Sequence, residues 1–193
     1  AAIFAGTITA TSFNGIPFYS GDTGSIYTHN VSATDNSAFY NTAYGLTAMD
    51  AITTGDENTA IGFGAGGQIT SGGKNTIIGA SAGDALTSGT NNIAIGHLAL
   101  STEDGHGKNV AIGASALQTL NAGADGNNVA VGYLAGSAMT TGTLNTIIGA
   151  EAGDALTSGS RNTAIGYAAL SREDANGFNV AIGYETLKQQ NAG

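Results

Sequence analysis

No cysteine occurs in the 193-residue chain, proline occurs once, at Pro17, and only 10% of the residues are charged. The missing cysteine excludes disulfides and all thiolate chemistry, so stability must come from elsewhere. The charge deficit is large, because ordinary proteins carry roughly 25% charged residues. Lys and Arg number 5 against 14 Asp and Glu, a formal net charge of −9. Nucleic-acid binding needs clustered basic residues to neutralise phosphate, so none is expected. The same sign argues against an anionic membrane surface. No apolar run approaches the roughly 20 residues of a membrane span, and no membrane insertion is expected. The chain opens Ala-Ala-Ile-Phe without methionine, as a fragment or a processed product would.

Glycine is abundant instead, with 31 residues against a usual share of roughly 7%. It recurs with a period. A pentamer, Asn-[Thr/Ile/Val]-[Ala/Ile]-[Ile/Val]-Gly, begins at Asn58, Asn75, Asn92, Asn109, Asn128, Asn145, Asn162 and Asn179. A degenerate copy begins at Asn41. The step is 17 residues throughout, except for 19 between Asn109 and Asn128. With Asn as position 1, position 8 is almost always Ala, and position 9 is Gly in one kind of unit and Leu in the other. The kinds run Gly, Gly, Leu, Leu, twice over. The 17-residue unit therefore sits inside a 70-residue duplication, residues 58–127 against 128–193. The two extra residues, around Asp125 to Asn127, fall at the joint and belong in a surface turn.

A 17-residue unit is too short for helix-pair repeats and close to one coil of a β-solenoid. The expected fold is all-β, a repetitive parallel β-solenoid of 17-residue coils. Residues 41–193 form the solenoid, and residues 1–40 form a strand-rich N-terminal segment outside the repeat. Alternation along a strand places positions 2 and 4 on one face and position 3 on the other. The largest recurring hydrophobes stand at position 4, so the expected core column is Ile61, Ile78, Ile95, Ile112, Val131, Ile148, Ile165 and Ile182. The repeated Asn has two readings: a hydrogen-bonded amide ladder along the stack, or a turn residue. Gly at position 5 is expected to turn each coil. Each unit offers only two or three sizeable hydrophobes, and so thin a core suggests association of chains.

The units Asn-Thr-Ala-Ile-Gly (58–62, 162–166) and Asn-Val-Ala-Ile-Gly (109–113, 179–183) resemble the head repeats of trimeric autotransporter adhesins. Residues 162–170, Asn-Thr-Ala-Ile-Gly-Tyr-Ala-Ala-Leu, are similar to repeats of bacteriophage tail fibres. The likeness spans residues 41–193 and implies a homotrimer with a β-roll-like solenoid, although adhesin heads repeat at a shorter interval. Residues 6–15, Gly-Thr-Ile-Thr-Ala-Thr-Ser-Phe-Asn-Gly, resemble a segment of virion appendage proteins. Together these favour a virion fibre over a bacterial adhesin head.

Residues 1–40 carry Phe4, Phe13, Phe18, Tyr19, Tyr27, Phe39 and Tyr40. A strand is expected over residues 7–13. The aromatics suit either a glycan-binding or docking surface or, the favoured reading, a cap closing the solenoid. No catalytic constellation is present. Glu103-Asp104 and Glu173-Asp174 recur with the duplication and read as solvated turns, with a Ca²⁺ site as the alternative. Asp84 and Asp154 read as turn or capping residues. His29, His97 and His106 lack metal-ligand spacing. The glycines of residues 62–67 are explained by the repeat, and no Gly-Lys-[Ser/Thr] follows them.

The expectation is therefore a non-enzymatic structural protein without cofactor, metal or catalytic residues. It would be a stiff shaft of a virion fibre, partnered by copies of itself, by other virion proteins, and by a host-surface glycan or protein. A bacterial surface adhesin head is the alternative, and a glycan-degrading spike ranks below both. Its location would be the virion, otherwise the cell exterior or surface.

Overall fold

The structure is a computed structural model and describes residues 12–13, 16–17, 26–27, 37–172 and 175–188. Two short strands, β1 (Ser12–Phe13) and β2 (Ile16–Pro17), pair antiparallel. The rest of the expected N-terminal strand lies outside the described residues. Ten further strands make one sheet: β3 (Ile26–Tyr27), β4 (Thr42–Tyr44), β5 (Thr59–Ile61), β6 (Thr76–Ile78), β7 (Ile93–Ile95), β8 (Val110–Ile112), β9 (Val129–Val131), β10 (Thr146–Ile148), β11 (Thr163–Ile165) and β12 (Val180–Ile182). They lie in chain order, and every pair is parallel.

This is a β-solenoid, and its register is the repeat itself. Thr59 stands beside Thr76, and Thr76 beside Ile93, one unit on. Hydrogen bonds between coils continue outside the strands. Gly62 N donates to Tyr44 O at 2.8 Å, Gly66 N to Ala82 O at 2.9 Å and Thr70 N to Thr87 O at 2.9 Å. The Ala-Leu segments form no helix among the described residues. They are turns in which positions 7 and 9 have positive φ, as at Leu98 (58°) and Leu100 (52°).

Glycine at position 5 is required twice over. Gly79 has φ +133°, and a Cβ there would meet the Gly96 carbonyl oxygen at 2.6 Å. Stacked coils place equivalent backbones roughly 4.8 Å apart, which leaves no room for a side chain on this corner.

The core differs from the expectation. Position 3 points inward in every repeat strand, as Ala43, Ala60, Ile77, Ala94, Ala111, Ala130, Ile147, Ala164 and Ala181, all buried. The expected column, Ile61, Ile78, Ile95, Ile112, Val131, Ile148, Ile165 and Ile182, stands on the outer face, half-buried to exposed; Ile61 is 39% and Ile182 62% exposed. Parity explains the correction. Asn at position 1 is buried, and alternation then places position 3 inside and position 4 outside. The inward residue is Ala in seven of the nine strands, with Ile77 and Ile147 the two larger ones.

The rest of the core comes from positions 8, 9 and 12. Ala at position 8 is buried throughout, from Ala48 to Ala169. In the coil starting at Asn75, Gly83 at position 9 leaves room for Leu86 at position 12; a Cβ on Gly83 would lie 3.0 Å from the Leu86 Cδ1. In the coil starting at Asn92 the large residue is Leu100 at position 9. The coils starting at Asn41 and Asn109 hold large buried residues at both positions, Met49 with Ile52 and Leu117 with Leu120, so it is the Gly kind of unit that keeps position 9 small.

The asparagine column is buried and bonds in two directions. Each Oδ1 accepts the backbone N–H of the next Asn: Asn58 N to Asn41 Oδ1 at 2.8 Å, Asn92 N to Asn75 Oδ1 at 2.9 Å, and so on to Asn179 N and Asn162 Oδ1 at 2.9 Å. Each Nδ2 typically donates to a carbonyl 14 residues on, such as Asn58 Nδ2 to Gly72 O at 2.8 Å, closing its own coil. In the 19-residue coil Asn109 Nδ2 turns instead to Gly107 O at 3.2 Å. Side-chain to side-chain contacts are the lesser part, as between Asn75 Nδ2 and Asn58 Oδ1 at 3.0 Å.

Candidate functional site

Glu103 departs from the expected solvated turn: its side chain is fully buried. It occupies position 12, where Ile52, Ile69 and Leu86 fill the core of earlier coils. A buried carboxylate must find hydrogen-bond donors. Oε1 accepts from His106 N at 3.0 Å and lies 3.1 Å from His106 Nδ1, and Oε2 accepts from Ala122 N at 3.3 Å. Glu103 therefore ties its own turn to the coil that carries the insertion. Asp104 is exposed, and one donor atom each from Glu103, Asp104 and His106 lie within 4.8 Å of one another. Glu173 and Asp174 lie outside the described residues.

The inserted turn is also tied down. Asp125 Oδ1 accepts from Gly107 N at 3.1 Å, and Lys108 Nζ lies 2.6 Å from Asp125 Oδ2. The Lys108 hydrogen bond holds the Asp125 carboxyl below its usual range. Asp154 behaves oppositely: burial, reinforced by Glu151, pushes its carboxyl up.

The outer sheet face consists of positions 2 and 4 of nine coils, and position 6 follows beyond the Gly bend. Position 6 runs Leu46, Phe63, Ala80, His97, Ala114, Tyr133, Ala150, Tyr167 and Tyr184. No Lys, Arg, Asp or Glu stands in the three columns. Position 4 is Ile or Val in eight coils and Tyr44 in the ninth, while position 2 is Thr in five, so the strip is charge-free with its apolar residues concentrated at position 4.

Beside this face runs a ridge formed by the residue before each Asn: Tyr40, Glu57, Lys74, Asn91, Lys108, Asn127, Leu144, Arg161 and Phe178. All nine are exposed, and all have φ between 50° and 64°. The left-handed conformation costs an ordinary residue about 1–2 kcal/mol and suits Gly or Asn. Two of the nine are Asn and none is Gly. Leu100 and Leu117 share the strain but gain burial; the ridge residues gain none. The ridge hydrogen bonds run between coils: Glu57 N to Phe39 O at 2.9 Å, Lys74 N to Asp56 O at 2.9 Å, Asn91 N to Gly73 O at 3.1 Å. Along the ridge lies an open groove of about 450 Å³ that spans three coils.

The duplication serves as an internal comparison. Residues fixed by the fold agree between the halves, as Asn75 with Asn145 and Leu86 with Leu156. The ridge does not agree: Lys74 matches Leu144, Asn91 matches Arg161, and Lys108 matches Phe178. In the second half Arg161 lies over the Phe178 ring, 5.3 Å from its centroid. Another divergent set is Tyr167 and Tyr184, where the first half has His97 and Ala114. Their rings stack at 5.4 Å, and the Tyr167 hydroxyl donates to Glu151 at 3.0 Å, which raises the Tyr167 pKa.

Of the residues singled out by sequence, the Asn column is brought together in the interior, and the position-4 column on the outer face. His97 is exposed on that face, away from His106, while His29, Phe4, Phe18 and Tyr19 lie outside the described residues. Tyr27 is fully buried in β3, which extends the sheet beyond β4. The ridge escaped notice because its identity varies from coil to coil. Reading every seventeenth residue as one column would have shown it. No helix among the described residues is long and apolar enough to cross a membrane. Comparison with known protein families, curated proteins and solved structures finds no match to this chain.

Proposed function

We propose that this chain is a stiff, self-associating shaft segment of an extracellular fibre, in first place a virion tail fibre or appendage, whose role is mechanical rather than catalytic. The observation that carries the reading is the charge-free outer strip. A chain with 19 Asp, Glu, Lys and Arg residues keeps all of them off three adjacent columns of nine. Repetition with an apolar outer stripe is what lateral packing of identical rods requires.

The thin interior supports the same reading, since Ala is the commonest inward residue and Asn the next. Burying the outer Ile and Val residues between chains would add apolar area that the single coil lacks. A homotrimer, which the repeat resemblance implies, would place three such strips against one another. Nine coils give a rod section about 43 Å long at the inter-strand spacing. Attachment to a host surface would then be multivalent, with weak sites acting through effective concentration.

The test is the native mass by light scattering or sedimentation. A trimer of the 19.0 kDa chain gives about 57 kDa. A monomeric mass at micromolar concentration rejects the assembly.

A further inference from the structure

We propose that the groove beside Glu57 and Lys74 is a saccharide-binding subsite. The inference gives a ligand class to the attachment role above and rests on that role for its biological meaning, although the binding is testable apart from assembly.

The lining identifies the chemistry. Hydroxyls come from Thr54, Ser71 and Thr90, carboxylates from Asp56 and Glu57, an ammonium from Lys74 and an amide from Asn91. Donors and acceptors are mixed at close range. An anion would meet two carboxylates and a metal cation would meet Lys74. A hydrophobic ligand would find little to contact. A polyol suits all of these groups at once, because each hydroxyl both donates and accepts. The carboxylate and ammonium of Glu57 and Lys74, one coil apart, make no ion pair with each other. Both remain open to a ligand.

Tyr40 precedes Glu57 on the same ridge, joined through the Glu57 N to Phe39 O bond, and is 62% exposed. The ring is not part of the groove lining; from the neighbouring coil it offers an exposed apolar face to a longer saccharide. Neighbouring coils repeat at about 4.8 Å, so a sugar ring can reach side chains of adjacent coils.

The duplication supports a binding role: the lining residues Glu57, Lys74 and Asn91 are replaced by Asn127, Leu144 and Arg161 in the second half, so the fold does not fix them.

The experiment is saturation-transfer difference NMR on the full chain. The probes are methyl α-D-glucopyranoside, methyl α-D-mannopyranoside, methyl β-D-galactopyranoside and D-glucosamine, each in the millimolar range expected for one small subsite. The variants Lys74→Leu and Glu57→Asn copy the residues at the equivalent places of the second half, Leu144 and Asn127. Arg161→Asn, in the second half, is the control. Transfer to at least one sugar, reduced about fivefold or more in both groove variants and retained in Arg161→Asn, supports the subsite. Transfer to none of the four, or transfer that persists in either groove variant, overturns it. Native mass is measured on the same samples. A trimer without sugar binding removes this inference and leaves the shaft, whereas sugar binding by a monomer does the reverse.

Discussion

A Cβ placed on Gly66 would lie 2.6 Å from the Ile69 Cδ1. In this coil Ile69 occupies the space that a larger residue at position 66 would need, although the coils starting at Asn41 and Asn109 hold large buried residues at both places. Gly66→Leu alone overfills the coil at a backbone with φ +56° and should cost about 1–3 kcal/mol or more. Adding Ile69→Ala should recover part of that loss. The converse, Leu100→Ala, empties a coil whose position 12 is Glu103 and should cost about 2–5 kcal/mol. Urea unfolding of these variants and of Ile69→Ala alone checks the pattern; additive losses in the double variant would contradict the shared volume.

The asparagine column predicts a gradient along the rod. Asn92→Ala deprives Asn109 N of its acceptor and His106 O of its donor. One buried and one part-buried group then lose their partners, for about 1–3 kcal/mol. Asn179→Ala should cost less, because Asn179 is only half-buried and its Nδ2 has no partner among the described residues. Equal losses at both ends of the comparison would show that the column is a row of independent turns.

On the outer face, Ile95→Glu and Ile112→Glu place a charge into the strip at coils where the surface is otherwise neutral. If copies of the chain pack there, each variant should weaken association by at least about a hundredfold. Secondary structure should be unchanged by circular dichroism. Retention of the full native mass would move the interface elsewhere.

Two aspartates should answer acid in opposite directions. The Asp125 carboxyl is held down by Lys108, so its contribution to stability is present above 3.8 and is lost as pH falls through its lowered folded value. The Asp154 carboxyl is pushed up by burial, so its ionised form opposes folding above its raised folded value, and that opposition is relieved as pH falls toward 3.8. Asp154→Asn should therefore raise Tm at neutral pH, while Asp125→Asn should lower it. Thermal melts of both variants at pH 4 and pH 7 distinguish the signs.

The period, the parallel direction and the one-unit register were legible in sequence, because inter-coil bonds join residues such as Thr59 and Thr76 that occupy the same place in successive units. The inward face was not. Ile61 outweighs Ala60 in apolar area, yet the inward side chain at position 3 is Ala in seven of the nine strands and Ile only at Ile77 and Ile147. Glu103 was illegible for a related reason: its carboxylate is buried only because His106 and the inserted coil's Ala122 supply donors. The groove combines side chains from three units, and no local motif of Thr54, Glu57, Lys74 and Asn91 exists along the chain.

The inter-coil hydrogen bonds lie along the rod, so tension applied between its ends loads the junctions in series. A rod of this kind gives way coil by coil from an end. Each 17-residue coil occupies about 4.8 Å of axis and would lengthen by roughly 50–55 Å when drawn out. A force–extension trace should show a train of near-equal steps, with one step, from the coil that starts at Asn109, longer by about 7 Å.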